Sequence, residues 1–67
     1  MTLKEQNEFY MRLGKLEKQL KEIQAESFHL KILCNIIGES EFDPTFQMII
    51  SDIGDGLRAL EECRKGE

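Results

Sequence analysis

Residues 9–37 read FYMRLGKLEKQLKEIQAESFHLKILCNII, and the spacing of apolar residues in this stretch decides the fold. Phe9, Leu13, Leu16, Leu20, Ile23, Ser27, Leu30, Cys34 and Ile37 follow one another at alternating steps of four and three. Such a series lies on one narrow seam of an α-helix, as in a coiled coil or helical bundle. Only Ser27 is polar. On the flanks, Glu17 with Lys21 and Lys18 with Glu22 lie four apart and attract, while Glu22 and Glu26 repel. Each such pair is worth only tenths of a kcal/mol, so the seam, not the surface, drives helix formation.

Towards the N-terminus, Thr2 and Glu5 form a capping box, in which the Thr2 hydroxyl accepts from the Glu5 N–H and the Glu5 carboxylate reaches back. This starts a helix at about residue 3. Gly14 lies just off the seam and costs about 1 kcal/mol relative to Ala. A long packed helix absorbs that, although Gly14 is where it would bend. Towards the C-terminus, Gly38 suits the left-handed residue that ends a helix. The reading is one long helix over 3–37 followed by a turn over 38–43.

Asp43-Pro44 then opens a second helix over 44–65. Proline disfavours helical geometry at the residue before it and fits the first helical position, which makes Asp43 the expected N-cap. Phe46, Ile49, Ile50, Ile53, Leu57 and Leu60 trace one stripe, widened by Met48 and Cys63. Gly54 and Gly56 cost this helix about 2 kcal/mol together. Because Leu57 and Leu60 keep the phase of Ile50 and Ile53, a continuous helix is favoured over a break near Asp55. Gly56 would let the first helix approach. The fold class is all-α: a helical hairpin forming one domain over residues 1–67.

A hairpin of 67 residues is marginal by itself. Small scaffolds are usually completed by disulfides, a metal or a second chain. Cys34 and Cys63 have no paired spacing, and His29 is the sole histidine, so no zinc set exists and no metal or cofactor is expected. Two thiols with no signal-like N-terminus point to a reducing, cytoplasmic setting. No apolar run approaches the ~20 residues of a membrane span. Association remains.

Length makes the same point. Residues 3–37 span roughly 52 Å as a helix and residues 44–65 roughly 33 Å, so an antiparallel fold-back leaves the segment before Leu16 uncovered. Near the turn, Phe28, Leu30, Ile32, Leu33, Cys34, Ile36 and Ile37 surround the helix, and a helix apolar on all sides needs more than one neighbour. A two-fold homodimer, a coiled-coil-like four-helix bundle, is the simplest closure. Its dimer or partner interface is expected at Phe9, Tyr10, Met11, Leu13, Leu16, Leu20, Ile23, Leu30, Leu33 and Ile37. The hairpin core is expected at Phe28, Cys34, Phe46, Ile50, Ile53, Leu57 and Leu60. In plan such a protein resembles the helical hairpins of plasmid copy-number regulators, which dimerise into a four-helix bundle and contact RNA.

Chemistry-bearing residues are few. His29 has no nucleophile-and-orienter set around it, so an enzyme is not expected. Glu39, Glu41 and Asp43, with Asp52 and Asp55, do not follow a calcium-loop spacing, and Gly54-Asp55-Gly56 is not a phosphate loop. Arg12, Lys15, Lys18 and Lys21 form the one local basic excess in a chain of net charge −4. They drift around half the helix and read first as a solvated face, second as a nucleic-acid contact. Phe9-Tyr10-Met11 has the composition of a protein interface. The sequence therefore points to a non-catalytic interaction module, a small homodimeric regulator or adaptor with a protein partner. Nucleic-acid binding through Arg12–Lys21 and a structural subunit of a larger helical assembly are the alternatives. The size class is that of phage, plasmid or bacterial accessory proteins.

Overall fold

A computed structural model describes residues 2–66. Helix α1 runs Leu3–Ile36, a 3-10 turn covers Ser40–Phe42, and helix α2 runs Asp43–Lys65. The two helices pack against each other as a hairpin. Both helices are continuous through their glycines, as the kept apolar phase predicts.

Local chemistry sets the ends. The Thr2 hydroxyl accepts from the Glu5 N–H at 3.2 Å and the Thr2 carbonyl accepts from Gln6 at 3.0 Å. At the other end Gly38 takes φ +84°, a left-handed conformation suited to glycine. The chain then turns back far enough for the Glu39 N–H to donate to the Cys34 carbonyl at 2.7 Å, which closes a Schellman motif. Helix α1 ends at Ile36, with Ile37 as its cap residue.

The entry to α2 departs from expectation. Asp43 has helical dihedrals, φ −53° and ψ −51°, so it is not an extended N-cap. The short 3-10 turn already sets the backbone winding before Pro44, and the Asp43 carboxylate serves elsewhere. It accepts from Asn35 Nδ2 at 2.6 Å and pairs with Lys31 Nζ at 3.3 Å, tying the start of α2 to α1.

Gly54, not Gly56, is the glycine that faces α1. A Cβ at Gly54 would stand 3.3 Å from Gln24 Nε2, whereas one at Gly56 would meet nothing. Across this gap Gln24 Nε2 donates to the Ile50 carbonyl at 3.1 Å. The uncovered segment of α1 is also shorter than the helix lengths suggest. Tyr10 and Leu13 are half-buried and share a cleft of about 210 Å3 with Leu60, Cys63 and Arg64.

Little of the molecule is inside. Among the described residues only Ser27, Cys34 and Ile50 are buried, and no large side chain is fully so. Phe28, expected in the hairpin core, is 47% exposed, because it sits on the flank of α1 away from α2. Phe46, Ile53, Leu57 and Leu60 are half-buried along the α2 stripe, beside buried Ile50. The chain measures 53 × 18 × 13 Å, with a radius of gyration of 15.9 Å. A compact chain of this length would have about 11 Å.

Candidate functional site

The face of α1 turned to α2 consists of Tyr10, Leu13, Glu17, Leu20, Gln24, Ser27, Lys31 and Cys34, all buried or half-buried. These also alternate by three and four, but they are not the apolar seam. The two series share Leu13, Leu20, Ser27 and Cys34 and then diverge. Where the apolar series continues through Phe9, Leu16, Ile23, Leu30 and Ile37, the packed face continues through Tyr10, Glu17, Gln24 and Lys31. The expected interface residues Tyr10, Leu13 and Leu20 thus lie within the hairpin.

The polar members of the packed face fasten the two helices. Glu17 forms an ion pair with Arg64 near the C-terminal end of α2. Gln24 reaches the Ile50 carbonyl in the middle, and Lys31 reaches Asp43 at the turn. Each lies one heptad from the next, so together they define register along the hairpin. Asn35 Nδ2 braces the turn by donating to both the Lys31 carbonyl and Asp43. The bond from Asn35, reinforced by the Lys31 ammonium, holds the Asp43 carboxyl below its ordinary range. Sequence reasoning did not foresee Gln24, Lys31, Asn35, Gly54 and Arg64 in these roles. The available signal was Glu17, Gln24 and Lys31 repeating at sevens beside the apolar seam.

That arrangement leaves a row of side chains uncovered. Phe9 (54% exposed), Leu16 (46%), Ile23 (52%) and Leu30 (38%) stand seven apart along one line of α1, and the cap residue Ile37 (63%) continues the spacing. At the turn end, Leu33 and Phe42 are exposed beside the row, and Ile36 is exposed further round the helix. Leu30, Leu33, Cys34, Ile37, Phe42 and Phe46, with Glu39, line an open cleft of about 200 Å3 there. Phe42 leans on Phe46, ring centroids 6.3 Å apart. At the opposite end Phe9 meets Tyr10 edge-to-face at 5.4 Å, and Met11 is exposed. This is an apolar strip running nearly the length of the molecule.

Other groups are not brought together. Arg12 pairs with Glu8 at 2.9 Å, and Lys15, Lys18 and Lys21 are exposed around α1. His29 is exposed and lies 3.9 Å from Glu26. Both thiols are free, Cys34 buried and donating to the Lys31 carbonyl, Cys63 exposed. Among the described residues no cluster of three or more His, Cys, Asp or Glu side chains could hold a metal ion. None of the described helices is long and apolar enough to cross a membrane. A concavity of about 780 Å3 beside Leu3, Lys4, Asn7, Glu8 and Met11 is walled by one helix alone and encloses nothing.

The arrangement suits burial against another apolar surface better than any bond-making chemistry. No protein-family profile, curated protein sequence or solved structure matches this chain.

Proposed function

We propose that the chain is a non-catalytic protein–protein interaction module, a small helical regulator or adaptor that works as a homodimer. The observation that carries this reading is the uncovered row Phe9, Leu16, Ile23, Leu30 and Ile37 on an otherwise fastened hairpin. Area gives its scale. The chain exposes 5402 Å2, whereas a compact monomer of its mass exposes about 4,400 Å2. The excess, about 1,000 Å2, is comparable to the roughly 800 Å2 each partner contributes to a stable interface. Each large side chain left in water forgoes about 1.5–3 kcal/mol of available burial.

Association linked to folding makes the melting temperature depend on protein concentration. The expected outcome is a Tm that rises by several degrees over a hundred-fold increase in concentration. A concentration-independent, cooperative melt would contradict the reading. The competing use of Arg12, Lys15, Lys18 and Lys21 as a nucleic-acid contact is separated by a mobility-shift assay at low salt. A shift abolished by changing the three lysines to Glu would favour that use, since phosphate contacts weaken steeply with salt and lost charge.

A further inference from the structure

The charges beside the uncovered row have a direction. On its outer flank stand Arg12, Gln19 and Glu26, seven apart, followed by Leu33. They occupy towards a neighbouring helix the place that Glu17, Gln24 and Lys31 occupy towards α2. Next to them lie Glu8, Lys15, Glu22 and His29. A second α1 laid parallel and in register would set Arg12 against Arg12 and Glu26 against Glu26, which repel.

Laid antiparallel, the outcome is different. With Leu3 opposite Ile36 of the second copy, all 34 residues of α1 overlap. Phe9 then meets Leu30 of the second copy, and Leu16 meets Ile23. Arg12 comes beside Glu26 within about one residue, or about 1.5 Å of rise, and Lys15 beside Glu22 and Glu8 beside His29 within about two residues, or about 3 Å. Gln19 meets Gln19 at the two-fold axis, where amides can donate and accept reciprocally. Sliding by one heptad keeps the apolar matches but sets Glu22 against Glu22 in one direction and Lys15 against Lys15 in the other. Full overlap, apolar matching and charge matching therefore select the same register.

We propose that the α1 face is covered by a second copy of this chain, antiparallel along the whole of α1 with the two-fold axis at Gln19. The proposal rests on the homodimer reading above and adds orientation and register. Arg12, which holds Glu8 in the single hairpin, is 80% exposed there and turns to Glu26 of the second copy.

The test uses the full chain carrying Cys63→Ser and Cys34→Ala, so that an introduced cysteine is the only thiol. Under mild oxidation Gln19→Cys is expected to link into a dimer. Arg12→Cys and Glu26→Cys, each alone, should link at least ten-fold more slowly, but a mixture of the two should link readily. Self-linking of Arg12→Cys and Glu26→Cys would establish a parallel pair and overturn the proposal. So would a sample that sediments as a dimer yet does not link at Gln19→Cys, which leaves the dimer reading standing. A monomer in sedimentation overturns both. As a second variant, Lys15→Glu should weaken the dimer about ten-fold at low salt, and adding Glu22→Lys should restore it. An unchanged affinity for Lys15→Glu contradicts the register.

Discussion

The two long faces of α1 differ in a way that inverts the usual rule. The face that packs on α2 carries Glu17, Gln24 and Lys31, while the neighbouring face, richer in large apolar side chains, is bare. In a finished monomer the richer face would be inside. The difference teaches that the hairpin contact sets geometry: ion pairs at both ends and an amide-to-carbonyl bond in the middle fix how far α2 slides along α1. Such polar contacts are individually modest. Apolar burial stabilises more per side chain, and the large apolar side chains of the neighbouring face remain exposed in the single hairpin.

The comparison breaks most visibly at the bare face. Ile23→Asp places a charge in the middle of the row, and in a two-fold dimer it does so twice. Association is expected to weaken about a thousand-fold, read by sedimentation, with helix content of the isolated hairpin reduced much less. On the covered face, Ile50→Ala removes the most buried large side chain, 6% exposed, and should cost about 2–4 kcal/mol per chain in chemical denaturation. If both substitutions had the same effect on assembly and on hairpin stability, the two faces would not be doing different jobs.

The same contrast separates what residue order reveals from what it hides. The capping Thr2, the Gly38 reversal, both helices and their continuity through Gly14, Gly54 and Gly56 follow from spacing and backbone preference, which are local properties. The four-and-three series locates the apolar surface of α1 equally well. Which half of that seam meets α2 is not local. It depends on a rotation of α1 that favours Arg64 on Glu17, Gln24 across Gly54 and Lys31 on Asp43. Those contacts join residues far apart in the chain, so spacing alone puts Tyr10, Leu13 and Leu20 outward and Phe28 inward, the reverse of the structure. Asp43 departs from expectation for a related reason: the N-cap rule describes an isolated helix start, and here the 3-10 turn and the bonds to Asn35 and Lys31 set the geometry.

Smaller effects sharpen the picture. Gly14 has open space where a Cβ would lie, so Gly14→Ala should raise stability by about 1 kcal/mol without altering association. The smallest expected effect is a pH dependence. Because the folded Asp43 carboxyl titrates below its unfolded value, its contribution is present above about pH 4 and is lost as pH falls through the folded value. Denaturation midpoints measured between about pH 5 and pH 2 should fall less steeply for Asp43→Asn than for the unaltered chain.

The proposed covering of the Phe9–Ile37 row by a second copy is tested most directly by sedimentation equilibrium of the full chain at micromolar concentration. The expected mass is twice that of one chain, falling to a single chain with Ile23→Asp. A helical, cooperatively folded species of single-chain mass, unchanged by that substitution, would contradict it.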